Sequence, residues 1–245
     1  MALPRSALLA TWLTAVLRGH AGPDELADAV HGADPRHLVV GWPGEAEPFG
    51  LALLPGAVRR AGTVAVHLAA PVPGDPVGLA GPPEFNTEVL GAGEAVLLAG
   101  GAGAASYGLV PEVDARTVLW QVAAANPPVP LDPGEAGRVL RRTLVETTAA
   151  LVRLDVASWQ PEIPDLLLNV RHRDPLHLPP GTPPEVLDTL ERADLCRDIV
   201  ALALGVDGGT VSAYEAEERR RCLTDLDRSA RRAIAACCSA SLVST

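Results

Sequence analysis

Apolar side chains in the first turns of the chain recur at intervals of three and four: Leu8, Leu9, Trp12, Leu13, Val16 and Leu17. That spacing predicts an amphipathic helix over residues 4–19. Pro23 followed by Asp24 and Glu25 opens a second short helix to Val30, since proline fits a first helical turn and acids favour its positive end. The pattern then shortens. His37–Trp42 and Thr63–Ala70 are compact apolar runs between Pro and Gly signals, and they predict strands. Between them, Pro55–Ala61 predicts a helical turn, with Arg59 and Arg60 at its end and Gly62 beyond. Residues 71–83 are a Pro/Gly loop and Glu84–Leu90 a short helix. Further strands are predicted at Glu94–Ala99, Ser106–Val110 and Thr117–Ala123. The connections between 100 and 116 are too short for parallel crossovers, so these strands are expected to be antiparallel neighbours.

Asn126–Pro133 (NPPVPLDP) holds four prolines in eight residues and reads as a stiff, extended joint. The pattern beyond it is helical. Asp132-Pro133-Gly134-Glu135 starts a helix running to about Val156. Ile163–Val170 predicts a short helix. Thr182-Pro183-Pro184-Glu185 opens another to Leu204, stopped by Gly205. Ser212 with Glu215 opens the last, over about 211–240, where Cys222, Leu226, Ala230, Ala233 and Cys237 share a face. The expected fold class is α+β. An α/β part with N-terminal helices and a mostly antiparallel sheet (1–126) leads through the joint (127–135) to a helical part (136–245), which is expected to pack on the first as one compact unit.

Composition narrows the function more than the fold. The chain has 245 residues, 48 % of them hydrophobic and 20 % charged, which is too apolar for wholesale disorder and long enough to need no disulfide or metal staple. All 20 basic residues are Arg, a codon bias expected of a GC-rich genome that discounts every Arg-rich or Gly-rich signal. Eight aromatic residues leave little for stacking on bases or sugars. A net charge of −10 opposes non-specific nucleic-acid binding. The cysteines (Cys196, Cys222, Cys237, Cys238) lack both the C-x-x-C spacing of zinc sites and the layout of a secreted disulfide scaffold. Free thiols in a cytoplasmic protein are expected. The apolar run Ala7–Leu17 is interrupted by polar residues and lacks a cleavage signal, and no run approaches a membrane span.

Two segments carry candidate chemistry. The first, over 99–107, comes after a strand and offers Gly101, Gly103 and Ser106 as a phosphate-binding turn. It lacks the third glycine and a subsequent helix, whose N-terminus would supply the aligned N–H groups, so a hairpin loop is the stronger expectation. The second, over 169–178, packs Arg171, His172, Arg173, Asp174 and His177 into seven residues. A histidine there would act as a base, Asp174 as its orienter and the arginines as an anion clamp. The plainer reading is a solvated loop of paired charges. His67 is expected to be the one histidine within the sheet, in a structural role. The run from Glu215 to Arg232 offers Glu215→Arg219, Glu217→Arg221 and Asp227→Arg231 as stabilising pairs on a solvated helix face.

No catalytic constellation stands out, and neither a cofactor nor a metal is expected. The sequence points to a cytoplasmic, non-catalytic interaction or regulatory module that self-associates, or binds a protein partner, through its C-terminal helices. The alternative is an enzyme or binding protein for a small anionic ligand, using the glycine loop and the Arg/His loop.

Overall fold

The structure is a computed structural model describing residues 3–32, 34, 36–153, 175–205 and 213–242. Its described residues form seven α-helices and a seven-stranded mixed sheet, an α+β fold. The helices are α1 (Arg5–Arg18), α2 (Pro23–His31), α3 (Leu54–Arg60), α4 (Pro83–Ala92), α5 (Pro133–Arg153), α6 (Pro184–Gly205) and α7 (Ala213–Cys237). The strands are β1 (Arg36–Val40), β2 (Phe49–Gly50), β3 (Thr63–Ala69), β4 (Ala95–Gly100), β5 (Ser106–Asp114), β6 (Thr117–Ala125) and β7 (Ala240–Ser241). The expected helix at Ile163–Val170, and the Ser212 half of the last capping signal, lie outside the described residues.

The chain divides into two compact units. A sheet unit comprises Leu3–Leu131, His177–Pro183 and the segment from Ala235 onward; a helical unit comprises Asp132–Leu176 and Pro184–Ile234. The sheet order is β2-β1-β6-β5-β4-β3-β7, antiparallel throughout except for the β1–β6 pair. Alternation along the strands gives each face its own core. On one face Val39, Val66, Val96, Leu98, Leu109, Val118 and Trp120 pack with Leu9, Leu13 and Trp12 of α1, Leu26 of α2 and Val58 of α3. On the other, Ala69, Leu97, Val110 and Ala125 meet Phe85 and Val89 of α4. A side chain at Gly108 in β5 would run into the Phe85 ring, so the missing Cβ is what lets α4 lie close to the sheet.

Local signals set the helix ends. Pro4 precedes α1 without a side-chain cap; instead Glu94 Oε2, remote in sequence, accepts the Ser6 N–H at 2.7 Å. At the other end Arg59 donates to the Val16 carbonyl at 2.8 Å. Asp132 Oδ1 caps α5 through the Glu135 N–H, as its sequence signal predicts. Thr182 differs: its hydroxyl donates back to the Pro179 carbonyl.

Four contacts fix the run of the helical unit. The small Gly137 faces Thr189, which sets α5 and α6 side by side. Thr147 Oγ1 donates to the Cys222 carbonyl, Arg197 pairs with Asp227, and Arg219 donates to the Ala203 carbonyl, which sets α7 antiparallel to α6 and against α5. The last helix stops at Cys237, short of the expected 240, because Ala240–Ser241 pairs with β3 as a strand.

Candidate functional site

The glycine loop is the turn between β4 and β5. Three of its backbone donors are already used. The Gly101 N–H reaches the Gly62 carbonyl at 3.0 Å, the Ala104 N–H reaches the Gly101 carbonyl at 2.9 Å, and the Gly100 N–H reaches Ser106 Oγ at 3.0 Å. Gly103 takes φ +78°, a backbone shape that suits glycine. Ser106 is therefore a hairpin clasp, and the chain continues from it as strand β5 rather than as a helix N-terminus.

Of the second segment, Arg171, His172, Arg173 and Asp174 lie outside the described residues. His177 is described and exposed. Its ring lies 5.3 Å from Trp12, and its carbonyl accepts the Trp12 indole N–H at 3.3 Å. Those contacts are architectural: they seat the 177–183 segment on α1.

The sheet holds two buried histidines, where one was expected. His67 is 7 % exposed, and burial lowers its pKa. The second is His37, on β1, at 2 % exposure. The strand pattern carries its signal: His37 shares parity with Val39, which puts both on the helix-covered face. Trp120 Nε1–H donates to His37 Nδ1 at 3.2 Å, so the neutral ring carries its hydrogen on Nε2. That buried atom has no hydrogen-bond partner among the described residues. The His31 ring stands edge-on at 5.2 Å, and Arg5 pairs with Asp34 nearby at 2.6 Å. Burial first, and the charge of His31 second, hold the His37 pKa down to about 4.

The four cysteines are free thiols. Burial pushes Cys237 up to about 11 and Cys238 up to about 12, and raises Cys196 and Cys222 as well. Such thiols are poor nucleophiles at neutral pH.

The arginine-rich face of α7 needs correction in two respects. Arg220 pairs with Glu217 and Arg221 with Glu218, each at i,i+3, in place of the expected i,i+4 pair of Glu217 with Arg221. Moreover, the face is not wholly solvated. Arg231 is 4 % exposed, with its Nε 2.8 Å from Asp227 Oδ2, while Arg197 reaches Asp227 Oδ1 at 3.2 Å. Asp194 and Asp198, one turn apart on α6, are buried too. The sequence shows the Asp227–Arg231 spacing but not that α6 covers it.

The Cys222–Cys237 stripe is largely core: Leu226, Ala230 and Ala233 are buried. Other apolar groups of the helical unit stay out. Val145 and Val152, seven residues apart and so on one face of α5, are 69 % and 75 % exposed. Leu204 at the end of α6 and Tyr214 at the start of α7 are 48 % and 75 % exposed. The helix register places Val152, Leu204 and Tyr214 toward the same end of the unit. In the sheet unit, an open groove of about 620 Å³ lies between α4 and the β5–β6 pair, lined by Glu88, Val110, Glu112, Gln121 and Ala123.

No helix of the described residues is long and apolar enough to cross a membrane. No solved structure matches the chain. Two sequence families do. The N-terminal domain of Rv1486c-like proteins matches residues 6–133, and the C-terminal domain of Rv1486c-like proteins matches residues 134–235. Two proteins of Mycobacterium tuberculosis, Uncharacterized protein Rv1486c of strain H37Rv and Uncharacterized protein MT1533 of strain CDC 1551, are each 31 % identical over 277 aligned residues, covering 92 % of this chain and 94 % of theirs. With both domains matched in order along nearly the whole length, the chain belongs to the Rv1486c-like family.

Proposed function

We propose that this protein is a non-catalytic interaction module that self-associates through its C-terminal helices. The observation that carries this reading is the exposed apolar face of the helical unit, Val145 and Val152 on α5 with Leu204 and Tyr214 near one end. Large apolar groups at 48–75 % exposure on ordered helices are surface that association would remove from water. Fully burying an aliphatic side chain contributes about 1.5–3 kcal/mol, and covering these half- to three-quarters-exposed ones gains a corresponding share. The chemistry on view agrees. The thiols are raised out of reactivity, and the hairpin N–H groups at 100, 101 and 104 bond within the protein instead of facing an anion. The ligand-binding alternative then draws chiefly on Arg171, His172, Arg173, Asp174 and the exposed His177.

Sedimentation equilibrium of the full chain tests the reading. The expected result is a reversible dimer at micromolar concentration, which Val145→Glu with Val152→Glu converts to monomer without loss of helical signal. A monomer at every concentration, or a dimer indifferent to both substitutions, overturns it.

A further inference from the structure

The turn Leu51–Leu53 and helix α3 send their side chains two ways. Leu51, Leu54 and Val58 are buried in the main core. Leu53 and Arg60, two helical turns apart, stay outside, and Leu53 is 65 % exposed. Gly56 lies between them, inside α3. A glycine within a helix weakens it, so its presence needs a reason. Backbone shape is not the reason, because Gly56 does not take a positive φ. Close packing is not the reason either: a Cβ there would meet only Arg60 Nη1, at an ordinary 3.5 Å. What the missing side chain leaves is a hollow of about 340 Å³, open to the outside and walled by Pro23, Phe49, Leu53 and Pro55.

Arg59 and Arg60 stand at the end of this hollow, the one pair of adjacent cations within residues 3–131, where acids outnumber arginines. Arg59 is committed to its own fold, since it donates to the Val16 and Leu17 carbonyls that end α1. Arg60 donates to Glu45 Oε1 at 3.1 Å, in a pair whose side chains are 68 % and 45 % exposed. Water competes for such a pair, so it holds little of the fold together. A carboxylate from outside can take the place of Glu45 on Arg60 without disturbing the core. The hollow therefore matches an aliphatic side chain with a carboxylate beside it. Sites for small molecules enclose most of their ligand's surface. This one is open and continues onto the exposed Leu53, which suits a segment of a larger protein that brings its own cover.

We infer that the hollow over Gly56 is a docking site for an acidic segment of a partner protein, which seats an aliphatic side chain between Phe49, Leu53 and Pro55 and places a carboxylate on Arg60 in exchange for Glu45. The site lies within the sheet unit and does not depend on self-association through the helical unit.

A fluorescein-labelled peptide alternating leucine with glutamate is the probe, with the full chain titrated in to millimolar concentration and binding followed by anisotropy. The expected result is saturable binding that Arg60→Ala weakens about tenfold, the loss of one hydrogen-bonded charge pair. Glu45→Gln strengthens it several-fold by removing the internal competitor. Glu47→Gln, with the same change of charge, leaves it unchanged. Gly56→Leu abolishes binding while keeping or raising the denaturation midpoint, because leucine favours the helix that glycine weakens. No binding to the Glu45→Gln protein, or binding indifferent to Arg60→Ala and Gly56→Leu, overturns the inference. Saturable binding of decanoate that needs Arg60, with the peptide left unbound, gives the hollow to a small carboxylate and overturns the protein partner.

Discussion

Trp120 and Arg231 are both nearly inaccessible, at 0 % and 4 % exposure, yet they secure their surroundings by opposite means. Trp120 lies among the aliphatic side chains of β1, β4 and β5 and the three helices on that face, with its one polar atom given to His37. Arg231 keeps its charge inside the helical unit and shares Asp227 with Arg197. The sheet unit excludes water from two apolar faces. The helical unit has a thinner apolar seam, buried polar groups at Thr147, Thr189, Asp194, Asp198, Ser229 and Arg231, and apolar side chains left outside. A buried ion pair adds little net stability, whereas removing one partner strands the other's charge at a cost. The two units differ in kind: one rests on apolar burial, and the other depends on specific pairs for its arrangement and leaves large apolar side chains exposed.

The largest effect is expected in the sheet core. Trp120→Ala removes its most deeply buried tryptophan and leaves a cavity, for a loss of about 3–5 kcal/mol. Chemical denaturation monitored by tryptophan fluorescence measures it. Helical-unit amides that keep their exchange protection in this variant would show the two units to be independently cooperative.

Acid sharpens the contrast next. The folded-state pKa of His37 is depressed to about 4 from an ordinary 6.5, so its contribution is fully present above pH 6.5 and is lost as pH falls from 6.5 toward 4. Protonation also sets the Nδ1 hydrogen against the Trp120 N–H. The loss amounts to up to about 3 kcal/mol in the sheet unit. His37→Leu flattens this slope while costing about 1–2 kcal/mol at neutral pH for the stranded indole N–H. A His37→Leu protein with an unchanged acid slope would show that other groups set it.

Arg231→Ala takes one of two arginines from Asp227 and opens a void in the α6–α7 seam. The expected cost is about 2 kcal/mol, seen as earlier melting of helical-unit amides. At the small end stands Ala115, which holds φ +53° in the two-residue turn between β5 and β6. Ala115→Gly relieves that strain and stabilises the sheet unit by about 1 kcal/mol, read from its denaturation midpoint.

The same contrast governs what is legible in the sequence. Strands β1, β3 and β4 are legible because each is a compact apolar run bounded by Gly or Pro; β5 and β6 are legible in part, since β5 continues past the expected Val110 through Pro111 to Asp114, and β6 past Ala123 to Ala125, the long pairing of the two carrying both onward. β2 and β7 are not, for two residues carry no period, and their pairing is set by edges that other strands create. The parallel β1–β6 pair is hidden as well, since its partners lie some eighty residues apart and local turn lengths say nothing about it. At the candidate site, the hairpin character of 99–107 can be read from the missing helix. The role of His177 under Trp12 cannot, because it depends on a contact 165 residues distant. The burial of Arg231 is equally out of reach, as i,i+4 spacing is the same on a wet face and a dry one.

Native mass spectrometry of the protein purified from its own cells decides whether it is an interaction module without a bound small molecule. The expected spectrum shows a mass at twice 25.4 kDa with no adduct, collapsing to a single chain in Val145→Glu with Val152→Glu. A single chain carrying a stoichiometric small-molecule adduct would contradict that reading.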